Sequence, residues 1–365
     1  MATSPPNTAI DRLDAPARQL GAPEAALFHN ITQLGDRLIT VGARGVIVIS
    51  DDGGVSWRQA PSPVSVALTS VAARADGLAI AVGHDAAILR SEDAGDSWTR
   101  VADGRTLLPL VIEAAEARFK VAEQALAAAS EAERGDLQFA LEDEEFRLET
   151  AQTSMEYGPS WPLLDVLFAS NAPDERRVLA IGGYGIAFLS EDAGETWSLI
   201  SDRFDNVDDF HLNAGMVTDD GAVILGSEAG VLFRAEPDLA SFEKIETFDG
   251  FSFFGLGYVE TDAEKKLIAY GFGDTYHSST DDGRSWESKR LSEAWTFVGD
   301  VRLPDGSLGV LGLGGVMVAI GSEGEIGRSR PLDARAPIGA ALPAPASDRD
   351  IVFVGVDGAR RVTLP

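Results

Sequence analysis

The side chains able to do chemistry are few and scattered. Asp-Asp-Gly occurs at 51–53 and again at 281–283 and has the look of a cation-binding loop. A calcium loop alternates oxygen ligands and closes on a bidentate Glu, and neither copy does so. His29, His84, His211 and His277 stand apart along the chain; His29 and His211 occupy related positions, too small a set for zinc. With no Cys there are no disulfides and no thiolate metal sites. Gly271-Phe272-Gly273 and Gly314-Gly315 follow apolar runs but open no helix, so neither makes a dinucleotide site. Cleaving an acidic sugar would take three arginines on its carboxylate, a Tyr nucleophile with a Glu partner, and an acidic Asp. The chain has only five Tyr, and Arg302-Leu303-Pro304 falls late in it. No catalytic residue, cofactor or metal ligand is expected.

The dominant pattern is instead S-x-D-x-G-x-[ST]-W, present four times. Its fixed positions are Ser50, Asp52, Gly54 and Trp57; Ser91, Asp93, Gly95 and Trp98; Ser190, Asp192, Gly194 and Trp197; Ser279, Asp281, Gly283 and Trp286. Motifs repeated at near-constant pitch identify a repeat architecture. In each box the Asp can accept backbone N–H groups of its own turn, and the Gly permits positive φ. The Trp is expected between adjacent sheets. The boxes therefore have a structural role.

Around each box the same elements recur. Gly42, Gly83, Gly182 and Gly271 each lie eight residues before the box Ser. Extended runs flank them: Leu38–Val41, Ala79–Val82, Val178–Ile181 and Leu267–Tyr270 before, and Val46–Ile49, Ala87–Leu89, Ile186–Leu189 and Thr275–Ser278 after. A first strand precedes each unit, at Leu27–Thr32, Val64–Val71, Leu163–Ala169 and Phe251–Val259. Four short strands per repeat make the blade of a β-propeller. Ala222–Arg234 (with Phe242 in place of Trp), Leu308–Ile320 and Ile351–Leu364 are units without boxes. The fold expected is all-β, a seven-bladed β-propeller, with six or eight blades as alternatives. The segment Ile10–Leu20 is expected to supply the closing strand of the last blade, which would leave no open edge.

Box Ser91 and box Ser190 are 99 residues apart, against 41 for the first two, so about 55 residues are inserted. Leu108–Ser130 and Glu131–Thr153 are rich in strong helix formers. Apolar residues recur there at helical spacing: Val111, Ala114, Ala117, Val121, Ala125 and Ala128, then Leu137, Leu141, Leu148 and Ala151. An antiparallel α-helical hairpin is expected, roughly 30 Å long. The domain reading is 1–107 for two blades with the closing strand, 108–158 for the hairpin and 159–365 for the remaining blades. Boxed turns join strands 3 and 4, whereas the insertion joins strand 4 to the next strand 1. The hairpin should therefore rise from the end opposite the boxes, with the 2–3 turns Ala43-Arg44, His84-Asp85, Gly183-Tyr184 and Phe272-Gly273. Aromatics cluster near the starts of several first strands on that end. The partner-binding candidates are Arg44, His84, Phe119, Phe139, Phe146, Trp161, Tyr184, Phe210, Phe253, Phe254, Trp295 and Phe297. About half of the aromatics would be inter-blade core on the other reading, and Glu142–Glu145 is a solvated helix face.

Over 365 residues the formal charge is −28, which argues against contact with nucleic-acid phosphates or anionic lipid. No apolar stretch is long enough to span a bilayer, and residues 1–20 show no signal-peptide pattern.

The boxes, the 2–3 turns and the four-strand pitch resemble the Asp-box (BNR) propellers over nearly the whole chain. Within these, the chain is similar to the photosystem II assembly and stability factor family, and most of all to its proteobacterial branch. The residues carrying that likeness are Leu107–Ala115 entering the insertion, Pro162–Val166 leaving it, and Gly250-Phe251-Ser252-Phe253-Phe254-Gly255. The resemblance implies a non-enzymatic accessory or assembly subunit of an inner-membrane resistance-nodulation-division (RND) transporter complex, acting from the periplasm. A cytoplasmic location is the alternative that the missing leader leaves open. Photosynthetic members present an arginine patch for which this acidic chain has no equivalent cluster. The alternative from another class is a carbohydrate- or small-ligand-binding, sialidase-like propeller using the channel mouth.

Overall fold

The computed structural model describes residues 11–157, 161–247, 250–261, 265–324, 326–327, 329–332 and 337–364. Short runs of continuous apolar residues, such as Ala79–Val82 and Val178–Ile181, mark strands buried on both faces, and these runs are the interiors of small antiparallel sheets. Sheet A comprises Phe28–Leu34, Arg37–Gly42, Ile47–Ser50 and Arg58–Ala60. Sheet B comprises Leu68–Ala73, Ala79–Gly83, Ile88–Ser91 and Thr99–Ala102. Sheet C is Leu163–Phe168, Val178–Gly182, Ala187–Ser190 and Ser198–Leu199, and sheet D is Leu212–Val217, Val223–Ser227, Val231–Ala235 and Phe242–Glu246. Sheet E orders six strands: Phe253–Glu260, Lys265–Ser279, Glu287–Arg302, Leu308–Gly312, Val316–Ile320 and Arg330–Pro331. Its two longest strands change partner along their length, residues 297–302 of the third pairing with the fourth. Sheet F has three strands, Ile338–Pro343, Asp350–Gly355 and Gly358–Thr363.

The first strands meet in a ring. A touches B, B touches C, C touches D and D touches E; within E the first strand touches the third, which touches the first strand of F, and F returns to A. Side chains lace neighbouring first strands together. Thr69 Oγ1 donates to Leu163 O at 2.6 Å, Ser70 Oγ to Asp165 Oδ1 at 2.6 Å, and Asn213 Nδ2 to Phe253 O at 3.0 Å. Asp165 Oδ2 accepts Gly215 N–H at 2.8 Å. Burial raises the Asp165 carboxyl, and it pushes Asp300, which accepts the Tyr270 hydroxyl, up to about 6.

Sheet F does not gain the expected fourth strand from the N-terminal segment. Ile10 lies outside the described residues, and residues 11–20 form no strand. They run instead along the A–B junction, where Ala17 N–H donates to Ser62 O, Ser65 N–H to Arg12 O and Leu20 N–H to Gln59 Oε1, and Leu13 is buried in the core between those sheets. Leu13 finds apolar neighbours there, and the backbone around it follows.

The insertion is two helices, α1 at Gly104–Ala128 and α2 at Arg134–Tyr157. The hairpin thus starts four residues before Leu108, because Asp103 and Thr106 form a capping box: Asp103 accepts Arg105 N–H at 2.9 Å and Thr106 Oγ1 accepts Asp103 N–H at 3.1 Å. The base of α1 is core. Leu107 and Leu108 pack with Ile88, Trp161 and Ile186 between sheets B and C. Arg118 bridges to Glu144 across the two arms at 3.0 Å.

Candidate interaction surface

The two ends of the ring are built differently. At the boxed end all four turns repeat one hydrogen-bond pattern. The box Ser hydroxyl donates to the box Asp at 2.7–2.8 Å and accepts the box Gly N–H at 2.7–2.9 Å. The Asp also accepts the N–H and hydroxyl of the residue preceding Trp, at 2.8 and 2.5 Å from Ser56. The Ser56 hydroxyl leads the causes that hold Asp52 at about 2; at Asp192 burial pushes upward but the Thr196 and Ser190 bonds outweigh it, again giving about 2.

Each box Gly is favoured by its backbone and lies tight against the preceding sheet, whose side chain would have to shift for a Cβ. Its φ is positive (+89°, +86°, +85° and +80°), and a Cβ would come within 2.6–2.9 Å of Val352, Ile39, Ile80 or Ile224 in the preceding sheet. An arginine of that same sheet donates to the carbonyl just before the Gly: Arg361 to Gly53 at 3.0 Å, Arg37 to Ala94 at 3.0 Å, Arg90 to Ala193 at 2.9 Å and Arg234 to Asp282 at 3.0 Å. The box tryptophans pack in clusters shared by adjacent sheets, Trp98 being buried and Trp57, Trp197 and Trp286 half-buried. The box residues are thereby joints between sheets, with their polar atoms directed into their own turns.

At the opposite end the turns between second and third strands also share a device. Gly42, Gly83, Gly182, Gly271 and Gly355 each approach a backbone carbonyl so closely that a Cβ would lie 2.0–2.3 Å from it. The residue that follows donates its N–H to that same carbonyl, as Ala43 does to Leu27 O and Gly183 to Pro162 O. In the first three turns the next residue is left-handed without being Gly: Arg44 at φ +56°, Asp85 at +57° and Tyr184 at +59°. Of these Arg44 and Tyr184 stand in solvent and Asp85 is half-buried, while Phe272, directly after Gly271, is exposed without a left-handed backbone. Tyr184 is 57% exposed and Phe272 52%. Tyr184 lies against His211 with ring centroids 5.0 Å apart, and Phe272 against Phe251 at 5.9 Å. Leu313 and Val356, exposed, continue the apolar tips around the ring.

The hairpin belongs to this end. It begins directly after the fourth strand of sheet B, and α1 touches the turn His84–Ala86. α2 is held by Arg147, which pairs with Asp209 at 3.4 Å and donates to Val207 O at 2.5 Å. Burial raises the Asp209 carboxyl, opposed by Arg147 and Arg118.

The expected partner-binding residues divide by burial. Arg44, His84, Phe139, Phe146 and Tyr184 are exposed, the two phenylalanines by 72% and 68%. Phe119, Phe210 and Phe254 are half-buried. Trp161, Phe253 and Phe297 are not on the surface: Trp161 fills the B–C junction, Phe253 meets His277 edge-on, and Phe297 sits in the core of sheet E. Phe253 begins its strand, Trp161 lies two residues before Leu163–Phe168, and Phe297 starts the stretch paired with Leu308–Gly312; all three side chains are packed inside. The Trp295 side chain lies outside the described residues. Phe251, Phe272, Leu313 and Val356 were not singled out as contacts. The signal for three of them was in the chain, since each directly follows the close-approach Gly or its counterpart Gly312.

Burial, helped by the nearby His84, lowers the His29 pKa, but no group of three or more His, Cys, Asp or Glu able to hold a metal exists among the described residues. Arg302 pairs with Glu260 at 2.8 Å and borders a cavity of about 440 Å³ with Arg349 and Asp350. No helix among the described residues is long and apolar enough to cross a membrane.

No protein-family model and no curated protein matches this chain. Solved structures do. That described as "YCF48 bound to D1 peptide" is 13% identical over 96% of this chain and 99% of that one, with a TM-score of 0.61. YCF48 from Cyanidioschyzon merolae is 12% identical over 95% and 97%, with a TM-score of 0.58. The WD40 propeller domain of Doa1 is 11% identical over 96% and 95%, also with a TM-score of 0.58. The fold is a β-propeller with an inserted helical hairpin, the propeller being similar to that of YCF48.

Proposed function

We propose that this propeller is a non-enzymatic protein-interaction module that docks through its hairpin and the unboxed end of the ring. The observation that carries the reading is the contrast in exposed aromatics. Tyr184, Phe272, Phe139 and Phe146 stand more than half exposed at the hairpin end, where each would cost less in contact with another protein than in water. Shape and a few aromatic anchors, rather than a reaction, are what such a surface offers. The binding of a peptide by a similarly folded protein, as its description states, fits this use of the fold.

The finer reading is an accessory or assembly subunit of an inner-membrane RND-type exporter, acting on its periplasmic side. It draws on the likeness of Leu107–Ala115, Pro162–Val166 and Gly250–Gly255 to the proteobacterial branch. A count of seven blades draws on the seven first-strand segments that touch in sequence around the ring. Removing residues 116–146 and joining the helix stubs by a short Gly-Ser turn keeps Leu107, Leu108 and Arg147 in place. The shortened protein should fold and should no longer co-purify with an RND transporter from membranes of the source organism. Undiminished co-purification would overturn the docking role.

A further inference from the structure

The hairpin carries twelve Asp and Glu against five Lys and Arg between residues 104 and 157. Three of those cations are engaged by the protein itself: Arg105 with Asp14 and Asp103, Arg118 with Glu144, and Arg147 with Asp143 and Asp209. The excess of negative charge is left facing water. Phe139 and Phe146 are seven residues apart on α2, two turns along one face, hence about 10 Å from each other. Glu142 and Glu149 are exposed and flank that line. Neither is ion-paired among the described residues; Glu142 only accepts Gln138 Nε2. An apolar pair at heptad spacing with charge beside it is the surface against which another helix packs.

We propose that α2 is a rail for a basic amphipathic helix of a partner protein. Phe139 and Phe146 anchor its apolar face, and Glu142 and Glu149 meet its lysines or arginines. This rests on the protein-interaction reading and names the partner's chemistry. A second copy of the chain is disfavoured as occupant, since two acidic arms of one sign repel each other. An anionic bilayer is disfavoured for the same reason.

The test uses the full chain and two labelled synthetic helical peptides, one with Leu at heptad core positions and Lys elsewhere, the other with Glu replacing Lys. Fluorescence anisotropy should show the Lys peptide binding and the Glu peptide not. Phe139→Ser with Phe146→Ser should weaken the Lys peptide at least tenfold, with helix content by circular dichroism unchanged because both side chains are exposed. Glu142→Lys with Glu149→Lys should weaken the Lys peptide and admit the Glu peptide. The inference fails if the Lys peptide does not bind, or if it binds the double-Ser variant as tightly as the unaltered chain, which would be undirected charge attraction. It also fails if sedimentation shows a dimer that the double-Ser variant dissolves. Loss of co-purification in the shortened-hairpin protein, together with no peptide selectivity, would discard the rail and leave the broader reading standing.

Discussion

The boxed end and the hairpin end of one ring are made from the same strands, yet they treat their side chains in opposite ways. At the boxed end, Asp52, Asp192 and their counterparts bond back into their own turns, and the arginines of the preceding sheet fasten those turns down. At the other end the glycines hold the backbone close, and the tip residues Tyr184 and Phe272 stand in solvent with only an aromatic neighbour. One end spends its specific residues on holding sheets together. The other holds its turns mainly by close backbone contact, with side chains from outside the turn such as Ser201 on Gly185 O, which leaves tip side chains such as Tyr184 and Phe272 in solvent.

That contrast can be broken by substitution. The largest effect should come from Trp98→Ala, which empties the A–B junction and removes a hydrogen bond to Gly95 O; thermal or denaturant unfolding should show a loss of about 3–5 kcal/mol. A loss under about 1 kcal/mol would mean the boxed joints are not what holds the sheets. Arg361→Ala, which frees the buried box carbonyl of Gly53 while Asp350 keeps its bond from Thr363, should cost about 1–3 kcal/mol in the same assay. Acid should act on the boxes as well. Because Asp52 and Asp192 are lowered to about 2 in the fold, their contribution is present above the ordinary carboxyl value of 3.8 and is lost as pH falls from there towards 2. Denaturation midpoints measured from pH 5 to pH 2 should fall less steeply in Asp52→Asn. At the other end, Tyr184→Ala and Phe272→Ala should shift stability by no more than about 0.5 kcal/mol and weaken partner capture. A large stability loss there would erase the distinction between the ends.

The boxes were legible in the chain because the hydrogen bonds that close each turn lie within eight residues, from Ser hydroxyl to the residue before Trp. The strands around them were legible for a related reason, since burial on both faces leaves an unbroken apolar run such as Val178–Ile181. The arginine clamps were not, because each partner pair is separated by 48 to 308 positions and follows no local pattern. The closing strand expected in Ile10–Leu20 failed on a similar point: strand propensity says nothing about which junction an apolar residue such as Leu13 will fill. Trp161, Phe253 and Phe297 looked like surface anchors because they sit at strand starts near the mouth. Their direction depends on the first half-turn of strand alternation, which a one-residue bulge, as between Phe253 and Gly255, reverses.

The junction of sheets F and A has a consequence for biosynthesis. It is fastened by Arg361 on Gly53 O and by the fit of Gly54 against Val352, groups roughly 300 residues apart. No fourth strand from the described residues covers the outer edge of sheet F. A nascent chain on the ribosome can stack A to E as they emerge, but the circle stays open until sheet F, with Val352 and Arg361, has been released. A ribosome that stops short of Arg361 would leave a crescent whose two end sheets expose the apolar faces that Leu38, Val48, Val352 and Val354 otherwise bury, a form prone to aggregation.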